Sequence, residues 1–213
     1  MKLYGYWRSS AAYRVRIALN LKGLSCEQQS VHLVKDGGQQ HQDDYVALNA
    51  QHLVPTLVLD DGTALTQSLA IMDYLDGLND DNPLLPKDAV ARAQVQAMAL
   101  SIACDIHPLN NLRVLQYLSK DLALSDEAKN AWYHHWIHTG FAAIEQQLQQ
   151  HAGRFCFGDK PTLADVCLVP QVYNAERFKV PMDRYPNIVR ICANCNALPA
   201  FIDALPENQP DAQ

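Results

Sequence analysis

Lys2-Leu3-Tyr4-Gly5-Tyr6-Trp7, then Arg8-Ser9-Ser10-Ala11-Ala12-Tyr13-Arg14, then Val15-Arg16-Ile17-Ala18-Leu19-Asn20-Leu21-Lys22-Gly23: this run from the N-terminus decides the fold. Lys2–Trp7 reads as a first β-strand. Arg14–Lys22 carries Val15, Ala18 and Leu19 at helical spacing and stops at Gly23, which suits a left-handed C-terminal cap. The loop between them, Trp7–Arg14, opens a helix. A helix N-terminus offers unpaired backbone N–H groups and partial positive charge, which favour a bound anion or thiolate. Serines at that position can equally cap the helix. The loop contains no cysteine, so thiol chemistry there must take its sulfur from a ligand.

Outward from this unit, Cys26–Leu33 reads as a second strand and Gln39–Leu48 as a short helix closing near Asn49. Val54-Pro55-Thr56-Leu57-Val58-Leu59 is β-rich, and Asp61-Gly62 is a hairpin signal before Ala64-Leu65-Thr66. Gln67–Leu78 returns to helix, with Leu69, Met72 and Leu75 on one face. The order βαβ, helix, ββα describes an α/β unit over residues 1–80. Asn79–Asp88 is polar and holds two prolines, a linker composition. From residue 88 to 213 the pattern is all-helical: Ala89–Leu118 with a break at Pro108, then Asp126–Gln150, Thr162–Val172 and Ile188–Ala197. Pro206–Gln213 reads as a fraying tail.

Within the α/β unit two further places suit a ligand. A proline entering a strand beside such a loop is often cis and leaves the preceding backbone free for an extended ligand, although a plain strand-start proline reads the same way. Gln67-Ser68, opening the third helix, is a second potential anion site or a cap.

Hydrophobic residues make up 48% and charged residues 19% of 213, a globular composition that excludes intrinsic disorder. No apolar run approaches the roughly 18–20 residues of a membrane span, and the N-terminus lacks a signal-peptide h-region, so a soluble, cytoplasmic protein without membrane contact is expected. The net charge of −6 is shared evenly: 6 basic and 9 acidic residues up to position 80, 11 and 14 after it. Neither half is a basic arm for nucleic acid. An anionic substrate must therefore be drawn by local arginines against the overall field. The six cysteines (26, 104, 156, 167, 192, 195) read as reduced thiols.

Several stretches together resemble the zeta-class glutathione transferases: Arg8-Ser9-Ser10-Ala11-Ala12-Tyr13-Arg14-Val15-Arg16-Ile17-Ala18-Leu19, Val54-Pro55-Thr56-Leu57, Gln67-Ser68-Leu69-Ala70-Ile71, His107-Pro108-Leu109-Asn110-Asn111-Leu112 and Leu168–Phe178. They span nearly the whole chain. The resemblance implies a thioredoxin-like N-terminal domain (1–80) followed by an all-α C-terminal domain (88–213), working as a homodimer. Thr162-Leu163-Ala164-Asp165 resembles the structural capping box of that fold.

The resemblance also implies glutathione as cofactor. Ser9 and Ser10 fall at the thiol, with the Ser9 hydroxyl bonding the thiolate. Val54 pairs with the tripeptide backbone, and Gln67 with Ser68 holds the γ-glutamyl carboxylate. Gln40, His107, Asn111 and Arg113 match further positions lining the ligand cleft. Relatives often carry Cys where this chain has Ala11, which leaves glutathione as the nucleophile. The implied activity is cis–trans isomerisation of maleylacetoacetate to fumarylacetoacetate, with Arg8 and Arg177 as candidate anchors for the small dicarboxylate. Rivals are the same reaction on maleylpyruvate, general conjugation or α-haloacid dehalogenation, and a non-enzymatic binding role. Relatives acting on maleylpyruvate can carry an extra arginine where this chain has Leu112.

Other constellations read as structural. Cys192-Ala193-Asn194-Cys195 has no second C-x-x-C to complete a zinc site. His134, His135 and His138 turn away from the Ile137/Ile144/Leu148 stripe and lack the Glu of H-E-x-x-H, so they read as a solvated face and no metal is expected. Trp132 and Trp136 read as packing residues.

Overall fold

Four short strands carry the first unit of the computed structural model, which describes residues 1–213: β1 (Lys2–Gly5), β2 (Glu27–Ser30), β3 (Thr56–Val58) and β4 (Ala64–Thr66). Their order is β2-β1-β3-β4, with β2 parallel to β1 and both hairpin strands antiparallel to their neighbours. β2 is shorter than the expected Cys26–Leu33. All four of its residues are exposed and polar, as befits an edge that must not recruit another strand. Leu3 and Leu57, paired across β1 and β3, are fully buried.

Helix α1 (Ser10–Leu21) starts four residues earlier than its apolar spacing suggests, because the Ser9 Oγ accepts the Ala12 N–H at 3.2 Å and caps it. Five of the eight residues of the expected loop are therefore helix. Its end is as the sequence implies: Gly23, at φ 63°, donates to the Asn20 carbonyl, while Leu24 donates to that of Leu19. Those two bonds form a Schellman motif. Lys22 closes the helix with its ammonium buried between Asp76 Oδ1 (3.1 Å) and the Asn79 carbonyl (2.8 Å). Removing one partner of such a buried pair costs about 3–5 kcal/mol. The expected helix 39–48 is split. A 3-10 turn at Gln39–His41 is followed by α2 (Asp43–Val46), with Gln42 extended between them (ψ 144°). Helix α3 (Ser68–Asp76) packs on α1.

The second unit, Leu85–Asn196, is helical. It contains α4 (Ala89–Leu100), α5 (Leu112–Lys120), α6 (Asp126–His151), α7 (Leu163–Arg177) and α8 (Pro186–Asn196). The break expected at Pro108 is a longer device: a π-helical stretch, Ser101–Ile106, runs into a 3-10 turn, His107–Asn110. Helix α7 is the buried axis of the unit, with every residue from Leu163 to Val172 buried. Its capping box joins Thr162 to Asp165, whose carboxylate also accepts the Cys156 N–H at 2.8 Å. Burial raises the Asp165 pKa against the pull of those hydrogen bonds. Cys195 Sγ lies 3.8 Å from the same carboxylate, so the C-x-x-C cysteines are core residues whose pKa values are pushed up by burial.

Residues Ala197–Gln213 belong to the first unit, although the sequence pattern grouped them with the helical half. Helix α9 (Pro199–Ile202) packs on α1, where Asn20 donates to the Ala200 carbonyl and the Arg16 Nε to that of Ala204. The expected fraying tail is ordered: Pro206–Asn208 forms a 3-10 turn, and Asp211 is hydrogen-bonded to Trp7 and Ser30.

Candidate functional site

The strand register brings three of the singled-out segments to one end of the sheet. Tyr4 of β1 pairs with Thr56 of β3, and Thr56 with Thr66 of β4. Just beyond that row lie the turn leading to Ser9, the Val54-Pro55 approach and the Gln67-Ser68 entry into α3.

Ser9 is delivered by a tight turn in which its N–H donates to the Tyr6 carbonyl at 2.9 Å. As the α1 cap, its Oγ accepts from Ala12, and that bond leaves the hydroxyl proton free to donate outward. Accepting one hydrogen bond polarises the hydroxyl as a donor. Ser10, the first helical residue, is buried. Arg8 is half-buried, its guanidinium 4.5 Å above the Trp7 ring and its NH2 3.0 Å from the Tyr6 hydroxyl. The Arg8 Nε is shielded from solvent without a partner.

The Val54–Pro55 peptide is cis, as its position suggested, and Val54 stands ahead of the paired residues of β3. Its side chain packs with Tyr6, Trp7, Val31 and Tyr45. Gln67 takes φ 68° and makes no cap with its side chain, so the capping alternative fails for it. Its Nε2 instead donates to Gln51 Oε1 at 2.8 Å. Ser68 is buried, its Oγ 3.4 Å from Arg14 NH1. Arg14, only 1% exposed, is a cation under the α3 start, a placement that its position in α1 does not reveal. Gln40 is buried, with Nε2 on the Leu33 carbonyl and Oε1 unpartnered. Gly38, at φ 100°, lies under that amide, and a Cβ there would come within 2.5 Å of the Gln40 Nε2.

The remaining candidates lie on the second unit. Asn111 caps α5 by accepting the Arg113 N–H at 3.1 Å, and its amide lies 3.4 Å from His107 Nε2. Arg113 itself is exposed in the first turn of α5. Arg177 is the exposed last residue of α7, which runs five residues past its expected end, and stacks 4.8 Å from the Phe178 ring centroid. Adjacent residues of α6 fasten both places: Trp132 Nε1 donates to the Leu109 carbonyl at 2.8 Å, and Tyr133 stacks on Phe178 at 4.0 Å. Burial raises the Tyr133 pKa, partly offset by the Arg177 charge.

The histidines correct the expected solvated face. His134 Nε2 lies 2.9 Å from the Phe178 carbonyl, and His138 Nδ1 2.8 Å from the Tyr185 hydroxyl. Only His135 is exposed. His134 thus steadies the residue after Arg177, a role the apolar spacing of α6 does not reveal.

The arrangement offers a helix start and a free hydroxyl for an anionic sulfur, a backbone segment outside the sheet ladder, and polar side chains at a second helix start. None of the six cysteines is paired in a disulfide; the nearest in sequence to the Ser9 turn, Cys26, is half-buried with its pKa raised by burial, and Cys156, Cys167, Cys192 and Cys195 are buried.

A family model described as the N-terminal domain of glutathione S-transferase matches residues 3–83, and one described as its C-terminal domain matches residues 130–193. A Vibrio cholerae serotype O1 protein named probable maleylacetoacetate isomerase is 56% identical over 210 residues, covering 99% of this chain and 97% of that protein. The holo structure of a bacterial maleyl pyruvate isomerase, described as a zeta-class glutathione S-transferase, matches with a TM-score of 0.96 at 46% identity and 100% coverage of both chains. The maleylacetoacetate isomerase of Methylobacterium extorquens AM1, solved with malonate and glutathione bound, gives 0.95 at 42% identity, again with 100% coverage of both.

Proposed function

The chain belongs to the glutathione S-transferase family, in its zeta class, and from that premise we propose that it isomerises maleylacetoacetate to fumarylacetoacetate with glutathione as cofactor. The observation that carries the chemistry is Ser9: a helix cap whose oxygen is engaged and whose proton is free, in a loop where Ala11 supplies no thiol. The chemistry glutathione supplies when bound is reversible addition of its thiolate to the activated alkene, which turns the double bond into a rotatable single bond.

The residues present fit that cofactor. The α1 start and the Ser9 hydroxyl favour a thiolate over a thiol. Val54 stands outside the ladder for an extended backbone to pair with it. Gln67, held by Gln51, and Ser68 present polar groups at the α3 start, above the buried Arg14 charge. The unpartnered Gln40 Oε1 is a spare acceptor for an amide. In this reading Ser10 supports the thiol site, and His107, Asn111 and Arg113 line the cleft. Arg177 and Arg8 hold substrate carboxylates, the planar guanidinium suiting a carboxylate better than an ammonium.

The second reading, maleylpyruvate, is favoured by the match to the maleyl pyruvate isomerase structure. Against it stands Leu112, an apolar first residue of α5 where an extra cation would suit the shorter diacid. Assaying purified protein on both diacids, with and without glutathione, decides between them. Turnover should require glutathione, leave its concentration constant and favour maleylacetoacetate; isomerisation in glutathione-free protein would refute the mechanism. A cytoplasmic homodimer completes the proposal, its oligomeric part checked by sedimentation.

A further inference from the structure

The C-terminal segment does not fray but holds the turn that delivers Ser9, and we infer that Asp211 is a positioning residue for Ser9, with Asp211 and Ala212 acting as a strap. The inference rests on the reading of Ser9 given above.

Trp7 and Arg8 are the two central residues of the turn that Ser9 closes onto the Tyr6 carbonyl. Both polar groups of the Trp7 backbone are engaged. Its N–H donates to Asp211 Oδ2 at 3.2 Å, and its carbonyl accepts from Arg16 NH2 at 3.0 Å. Arg16, only 5% exposed, is in turn bonded through Nε to the Ala204 carbonyl at 3.2 Å. The same Asp211 oxygen accepts from Ser30 Oγ at 2.9 Å, so the carboxylate bridges the edge strand β2 and the turn. Beyond it, Ala212 packs on the cluster of Tyr6, Trp7, Val31, Tyr45 and Val54, which includes the residue ahead of the cis proline.

A turn of this kind, left to itself, librates. Ser9 follows Trp7 by two residues, and a misplacement of about 1 Å in a reacting geometry can cost as much as about a hundredfold in rate. A carboxylate suits the post because one of its oxygens, with two lone pairs, accepts from the Trp7 N–H and the Ser30 hydroxyl together. Its negative charge, on the other hand, opposes a nearby thiolate. The value of Asp211 therefore lies in its acceptor oxygen rather than its charge.

That distinction sets the experiment. Asp211→Ala and Asp211→Asn remove the same charge, but only the asparagine keeps a carbonyl oxygen to accept from Trp7 and Ser30. Each is assayed for kcat and KM with the diacid at saturating glutathione, and bound glutathione is titrated by thiolate absorbance. Asp211→Ala should lower kcat about three- to tenfold relative to Asp211→Asn, the loss of one such hydrogen bond expressed at the reacting centre. Its thiol should also titrate at higher pH than in Asp211→Asn. A chain ending at Pro210 should lose at least as much. Because Asp211 acts through Ser9, adding Asp211→Ala to Ser9→Ala should move the titration no further than Ser9→Ala alone, a coupling that general loosening would not produce. If Asp211→Ala matches Asp211→Asn in kcat and titration while Ser9→Ala shifts the thiol, the strap idea is wrong and the Ser9 reading survives. If Ser9→Ala leaves the thiol unmoved, both fall.

Discussion

Ser9→Ala removes two things at once, and the structure separates them. As the cap of α1, Ser9 accepts the Ala12 N–H at 3.2 Å; losing a serine cap costs about 1 kcal/mol of stability. As donor to a thiolate, its free hydroxyl contributes one hydrogen bond to a charged group, about 1.5–3 kcal/mol. At 1.36 kcal/mol per pKa unit that raises the thiol pKa by roughly 1–2 units. Ser9→Gly divides the two effects, since glycine at a cap costs only a few tenths of a kcal/mol relative to serine. Ser9→Gly should therefore unfold close to the parent protein but share the thiol shift of Ser9→Ala. Both remain below free glutathione in pKa, because the N-terminal N–H groups of α1 persist. Thiolate absorbance of bound glutathione against pH, beside a denaturant melt, reads both quantities. A Ser9→Gly thiol that titrates with the parent would refute the hydroxyl's role. A larger shift in Ser10→Ala than in Ser9→Ala would transfer that role to Ser10.

Three further expectations concern the second unit. Arg177→Ala should lower kcat/KM for diacids about tenfold to a hundredfold, the loss of one charge-assisted contact, with glutathione affinity nearly intact; Arg177→Lys should recover part of it, and an equal loss on a neutral electrophile would make Arg177 structural. Glu145 accepts from the Asn187 N–H and side-chain amide (2.9 and 2.7 Å) and from the Ile188 N–H (3.0 Å) at the start of α8, so Glu145→Ala should cost about 3 kcal/mol. Calorimetry should place its Tm roughly 6–12 °C lower, and a melt within 2 °C or so of the parent would disprove the capping role. His138 has its pKa lowered from the ordinary 6.5 by burial first, then by Arg184 and His134. The unfolded chain thus takes up a proton that the folded one resists, and stability should fall as pH drops below about 6.5 towards the lowered folded value; urea melts should show this slope flattened in His138→Gln.

What the sequence discloses here is what is local. Gly23 ends α1 because a left-handed residue is needed where two helical carbonyls must be capped, and that need is written within five residues. The capping box at Thr162 and Asp165 is legible for the same reason. The start of α1 is legible only as the alternative that a serine caps it; the apolar period hides it, because Ser10, Ala11 and Ala12 add little to that period and the decisive fact is one side-chain bond. The π-helical stretch at Ser101–Ile106 was also hidden: its residues fit an unbroken α-helical pattern until Pro108 interrupts it. His134 and His138 show the limit most plainly. Periodicity says which face of α6 enters the core, but the Phe178 carbonyl and the Tyr185 hydroxyl lie 44 and 47 residues away in sequence.

The candidate site sits at this boundary between local and long-range information. Each of its segments is announced by an element end: a serine pair opening α1, a proline entering β3, a glutamine and serine opening α3. That they come to one end of the sheet depends on the Tyr4, Thr56 and Thr66 row; its Tyr4–Thr56 pairing is long-range, but its Thr56–Thr66 half follows from the Asp61-Gly62 turn and so was within reach of the sequence. The support behind Ser9 was not, since Asp211 reaches Trp7 across 204 residues and no short-range rule points to it. A substitution near the C-terminus that leaves the fold intact yet shifts the chemistry is the outcome this division implies. Asp211, in a stretch whose composition reads as dispensable, is where it should appear.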